Sequence, residues 1–162
     1  MELHARNEIS QLFPTSDSHR NADSLEDLKR VSLYGIDFYP RTGESKIPAL
    51  LNRGYHYLIF DMGSFTETAF PELLRCDRKL VLGSLAPWKA GSYQDFFAYN
   101  YDTSNLMEGF YYLMQTGNAK ELLQFSKTYH IPRRNIVPIP FIKNPFCIEK
   151  ESFLFFQELL SE

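Results

Sequence analysis

Tyr57-Leu58-Ile59-Phe60-Asp61-Met62-Gly63-Ser64 sets four apolar residues against a carboxylate and a glycine. A run of that kind ends a buried strand in many α/β proteins and presents its acid to a ligand at the carboxyl edge of the sheet. Asp61 is therefore the first residue to examine for chemistry. Other reactive types offer less. Ser64 and Ser84 have no nucleophile elbow around them, and no histidine with an acid is spaced to activate either. The four histidines and two cysteines fall at unrelated spacings, so no metal constellation is expected. His130, Arg133 and Arg134 form the one local basic cluster, which could touch an acidic partner; the commoner reading is a solvated loop before a strand. Asp77, beside Arg78 and Lys79, reads as a solvated turn. Trp88 beside Lys89 could stack on a base and offer a positive charge to a phosphate; the commoner role of such a tryptophan is to anchor a helix start.

The elements that must position these residues alternate along the chain. Met1 to Ala5 reads as a strand end, Pro14 to Asp23 as a loop and Ser24 to Leu28 as a short capped helix. Val31 to Phe38 is strand-like and is broken by Pro40 and Gly43. Lys46 to Asn52 is helical and stops at Gly54. Thereafter Tyr57 to Asp61 is predicted as a buried strand, Glu67 to Arg75 as a helix, Lys79 to Leu85 as a strand, Tyr93 to Tyr99 as a helix and Gly109 to Met114 as a strand. Asn118 caps a helix reaching Tyr129, Asn135 to Ile139 is a short strand, and Glu151 to Leu160 is a closing amphipathic helix. Strands separated by helices imply a mostly parallel sheet covered on both faces. Asp61, Gly63, Ser84 to Lys89, Gln115 and the Pro140 to Phe146 loop would then share one rim.

At 162 residues, 44% hydrophobic and 23% charged, the chain is expected to form one domain, residues 1–162, with a full core. An aromatic share of 15% suggests a bulky core or a contact surface. A net charge of −3 gives no basic footprint, which argues against nucleic-acid binding by this chain alone. The two separated cysteines and the lack of a signal-peptide pattern favour a reducing, cytoplasmic setting, and no apolar run approaches the ~20 residues that span a bilayer.

With the rim assembled, the order of signals resembles the ParA/MinD branch of P-loop NTPases. Leu51 to Gly63 is similar to that family's "yDyIiiD" Walker B strand, and Leu74 to Ser84 to its next strand, which opens with an aspartate. Ile136-Val137-Pro138-Ile139-Pro140 is similar to its last strand. Trp88-Lys89 and Asn144-Pro145-Phe146 resemble a bacterial subgroup of these ATPase-like proteins. The resemblance implies a three-layer α/β/α fold with a mostly parallel sheet, an ATPase ancestry, and ATP with Mg²⁺ as cofactors. It assigns Asp61 to a Mg²⁺-bound water and Pro140, Phe141, Asn144 and Phe146 to the adenine pocket, with a Pro-bounded turn before the final helix as the equal alternative for that loop.

One departure outweighs these matches, because no G-x-x-x-x-G-K-[ST] occurs in the chain. That loop supplies the amides, the lysine and the hydroxyl that hold phosphate and Mg²⁺. Aligned with the family, Met1 to Asn7 falls on its second strand, with Glu2 and His4 in place of the usual acids. The first strand and phosphate loop are then missing, which would leave a gap in the sheet where a central strand belongs. The expectation is an ATPase-related protein unable to hydrolyse ATP by itself, without an assigned catalytic residue. The alternative is a non-catalytic interaction module that binds a protein partner or a second copy.

Overall fold

The computed structural model describes residues 30–40, 42–100, 109–115, 117–144 and 147–161. The expected strand at Met1 to Ala5, the helix at Ser24 to Leu28 and the site residue Phe146 lie outside the described residues. The chain divides into two compact units, Met1–Leu73 and Leu74–Glu162, and each is described by itself.

In the first unit the alternation over residues 31–38 becomes two short strands, β1 (Val31–Leu33) and β2 (Ile36–Phe38), paired antiparallel. Tyr34 and Gly35 join them with φ of 52° and 77°. Two consecutive positive φ values are the signature of the tight hairpin turn whose twist matches that of the flanking strands. A short helix, α1 (Ile47–Leu51), follows, with Pro48 in its first turn and Leu50 fully buried. It ends before Gly54, whose φ of 73° takes the chain out of the helix as expected.

The segment expected to be a buried strand is a correction. Residues 57–60 form no strand and Asp61 makes a single bridge. Tyr57 and Ile59 are each 76% exposed while Leu58, Phe60 and Met62 are half-buried. The backbone thus has one apolar face against the protein and one in water. Four apolar residues in a row do not specify burial on both faces, because β-branched and aromatic residues also suit a half-buried extended chain. The helix expected over Glu67 to Arg75 begins later, as α2 (Phe70–Arg75), after a turn in which the Thr66 hydroxyl accepts from the Ala69 amide at 3.3 Å.

The second unit is a three-stranded parallel sheet of β3 (Lys79–Gly83), β4 (Phe110–Met114) and β5 (Ile136–Pro138) in that order. The crossovers carry α3 (Ala90–Asn100) and α4 (Ala119–Thr128), and α5 (Lys150–Leu160) closes the chain. Asn118 starts α4 with a full capping box: its Oδ1 accepts from the Lys120 and Glu121 amides, and Glu121 returns a bond to the Asn118 amide at 2.8 Å. A cap of this type contributes about 1 kcal/mol.

The register pairs Lys79 with Phe110, Val81 with Tyr112 and Tyr112 with Ile136, so these side chains share one face. That face is covered by aromatic rings from α3 and α4. Phe97 stacks on Tyr129 at 4.1 Å and lies 5.6 Å from Tyr112, while Tyr93 meets Phe125 edge-on at 5.1 Å. Gly83 is required beneath Tyr93, since a Cβ there would lie 1.5 Å from the Tyr93 hydroxyl. Part of the aromatic excess of the sequence goes into this core. The outer edges of the sheet are treated differently. At β5, Pro138 has no N–H to offer and the Ile136 carbonyl is taken by Arg133 Nη1 at 2.6 Å. At β3, among the described residues, no strand pairs on the outer side.

Candidate functional site

Parallel strands present their carboxyl ends on one side of the sheet, so the loops after Gly83, Met114 and Pro138 form a common rim. Of the rim expected from the sequence, Ser84 to Lys89, Gln115 and residues 140–144 follow the carboxyl ends of these strands, while Asp61 and Gly63 lie in the first unit. Gln115 follows β4 directly, its amide bound to the Gly83 carbonyl at 2.8 Å, and Ile139 is bound to the Met114 carbonyl at 2.9 Å. Leu85 presses on the same region, for a Cβ on Gly117 (φ 141°) would come within 2.6 Å of it.

Of the residues assigned to a base pocket, Pro140 is half-buried, Asn144 is exposed and Phe141 is 90% exposed. The Asn144 carbonyl accepts from the Cys147 amide at 3.1 Å. Trp88 sits in a single 3-10 turn, Pro87–Lys89, immediately before α3, and is 83% exposed. The expectation that it anchors the helix start is thus overturned: Tyr93 and Phe96, on the helix itself, are the buried anchors. Lys89 beside it is exposed as well.

Asp61 belongs to the first unit. It is exposed, and its Oδ1 accepts from the Gly63 amide at 3.0 Å. That contact is an Asx turn, in which the carboxylate organises its own backbone. Gly63, with φ of 68°, allows the turn. Among the described residues no group of three or more His, Cys, Asp or Glu converges in a way that could hold a metal ion.

The charged turn before β3 is only partly what the sequence suggests. Asp77 is exposed in a bend, but Arg78 and Lys79 turn inward. Lys79 is 8% exposed with its Nζ 5.8 Å from the centre of the Phe110 ring, and the Arg78 guanidinium sits 5.8 Å from that of Tyr111. Arg78 also donates to the carbonyls of Leu159 and Ser161, so a cation caps the carboxyl end of α5. Arg133 and Arg134 are exposed, as expected of a solvated loop, and they line an open groove with Val137, Leu154 and Phe155, bordered by Glu151 and Glu158.

One polar cluster was not anticipated from the sequence. Asp37 accepts from the Ser32 hydroxyl and from Tyr55 Oη at 2.6 Å, Tyr55 shares a second short bond with Tyr39 at 2.6 Å, and Arg53 Nη1 donates to Tyr39 at 3.0 Å. Arg30 approaches the same carboxylate at 3.7 Å. The Ser32 and Tyr55 hydroxyls hold the Asp37 carboxyl below its ordinary range, with Arg30 and Arg53 adding to the effect. Tyr55 is pushed well above the usual tyrosine range by burial and by donating to Asp37. A general acid or base needs a pKa drawn toward the working pH, whereas both groups are driven away from it. The cluster therefore ties the hairpin to the turn after α1. The sequence signal was faint: Ser32 and Asp37 are placed symmetrically about Tyr34-Gly35, which makes them cross-strand partners once the hairpin is recognised.

No protein-family model, no curated protein and no solved structure matches the chain.

Proposed function

We infer that this chain is a non-catalytic protein-interaction module on a scaffold of P-loop NTPase type, related to ParA/MinD ATPases and of three-layer α/β/α design. The parallel order of β3, β4 and β5 with helical crossovers supports the scaffold. The observation that carries the loss of catalysis is the chemistry of the rim. These 162 residues contain no glycine-rich loop with its lysine to hold phosphates, and the rim instead exposes the rings of Trp88 and Phe141. Asp61 retains the position of a Walker B acid in the sequence, yet it is engaged by Gly63. Large exposed apolar rings are instead the residue type that anchors protein interfaces.

Calorimetric titration of the whole chain with ATP and Mg²⁺ tests this reading, with circular dichroism establishing that the sample is folded. The expected outcome is no binding heat at concentrations up to about a millimolar, the weak limit of specific recognition. Micromolar binding that EDTA abolishes and Asp61→Asn weakens would overturn it and restore a nucleotide-dependent function.

A further inference from the structure

Three connections leave the carboxyl ends of the parallel strands, after β3, β4 and β5. In a chain with 20 Asp and Glu, residues 84–89, 115–118 and 139–148 contain neither. The charges they carry are Lys89 and Lys143, both exposed. Among the described residues neither lysine makes an ion pair or a side-chain hydrogen bond. The acids nearest in sequence lie on the helices that follow. Glu121 is spent on the capping box of α4, Asp95 belongs to α3, and Glu149 and Glu151 open α5.

Each lysine stands beside an aromatic ring that the core does not take up. Trp88 precedes Lys89 and is 83% exposed, and Phe141 lies just before Ile142 and Lys143 and is 90% exposed. In the second unit no other large apolar side chain among the described residues is as exposed as these two. Strand β4 lies between β3 and β5, so the two loops leave the sheet two strand spacings apart, about 10 Å. The exposed Gln115 stands at the end of β4 between them. That span is close to the thickness of one extended chain with its side chains.

We propose that this rim docks an acidic segment of a partner protein, its apolar side chains held by Trp88 and Phe141 and its carboxylates by Lys89 and Lys143. The proposal rests on the interaction reading above and names the partner of the same rim. Charge complementarity sets the sign. The chain as a whole carries a net charge of −3, so an anionic segment is repelled in general and drawn to the one acid-free rim. The positive end of α3, which begins at Ala90 beside Lys89, adds to the same sign. The rings supply affinity by burying surface that is wet in the free chain, and the lysines select and orient. The Gln115 side chain offers both a donor and an acceptor to the backbone of a segment lying between the loops. Two rings and two lysines make less than a standard interface, so the association belongs to the weak class.

Trp88 is the single tryptophan, so its emission reports the rim directly. The full chain is titrated with a short peptide free of aromatic residues, Glu-Asp-Glu-Leu-Gly-Leu-Glu-Asp-Glu, up to about a millimolar. A saturable blue shift with reduced acrylamide quenching is expected, and it should weaken as salt rises because the lysines are exposed. Phe141→Ser is expected to raise the half-saturation point about tenfold or more. Lys89→Glu combined with Lys143→Glu is expected to abolish the shift. All three side chains stand in water, so the circular dichroism should be unchanged in each variant. No shift overturns the proposal, as does an equal shift with the peptide in which Lys replaces every acid, or a response indifferent to these variants. A shift given by phosphatidylglycerol vesicles and not by the peptide also overturns it, in favour of a lipid surface. None of these results uses ATP, so a chain that binds neither ATP nor the acidic peptide keeps its loss of catalysis and loses this partner.

Discussion

Replacing Tyr112 by Phe should stabilise the second unit. Tyr112 is 2% exposed, lies within 6.5 Å of the Phe96, Phe97, Phe110 and Phe125 rings, and its hydroxyl finds no hydrogen-bond partner among the described residues. A buried polar group left unpaired costs about 1–3 kcal/mol. Tyr112→Phe removes that cost and keeps the ring, leaving a void about the size of one oxygen atom, which at about 24 cal/mol per Å³ returns only a few tenths of a kcal/mol. The net gain is about 1–2 kcal/mol. In urea, with a slope of about 1–3 kcal/mol per molar, the midpoint should rise by roughly 0.5–1 M.

Alkaline pH provides a second arm to the same test. Burial holds the Tyr112 phenol well above its ordinary pKa of 10.0 in the folded chain. The contribution of the neutral phenol is complete below the unfolded value and declines as pH rises from there toward the folded one, because only the unfolded chain then releases the proton. The slope is about 1.36 kcal/mol per pH unit for one group. Wild-type stability should therefore fall more steeply than that of Tyr112→Phe above about pH 10, widening the gap between them. A lower urea midpoint for Tyr112→Phe at neutral pH, or parallel alkaline profiles, would refute the account of an orphaned hydroxyl.

Two further outcomes follow from the same core. Gly83→Ala puts a methyl 1.5 Å from the Tyr93 hydroxyl, which donates to Met114 Sδ at 3.3 Å, and so must displace the ring that packs on Phe125. A loss of about 2 kcal/mol or more is expected in urea unfolding, and a neutral result would show that Tyr93 has room to move. Trp88, the single tryptophan, should emit as a solvated indole and be quenched strongly by acrylamide at low protein concentration; a blue-shifted, protected emission would place it in an interior instead.

Local signals in the sequence determined much of the backbone. Asn118 with Glu121 three residues on fixes the start of α4, because a side-chain acceptor and a returning carboxylate satisfy amides that no helix can satisfy internally. Gly54 marks the exit from α1, and the spacing of strand and helix patterns gives the parallel sheet and the composition of its rim. The cap and the helix exit depend on residues within one turn of each other.

Burial on a particular face is a different kind of fact, since it depends on which segment arrives from far along the chain. Tyr57 to Asp61 has the composition of a core strand, but only one of its faces meets protein. Trp88 and Phe96 are both aromatic and stand eight residues apart, and only their places relative to β4 decide that one lies in water and the other in the core. The Asp37, Tyr55, Tyr39 and Arg53 cluster spans the hairpin, α1 and the turn beyond, so no local window contains it. Which sheet edges are left unpaired among the described residues is likewise decided by the tertiary structure. A strand's sequence states its hydrogen-bonding capacity, and only the order of strands in the sheet states which side of that capacity is left over.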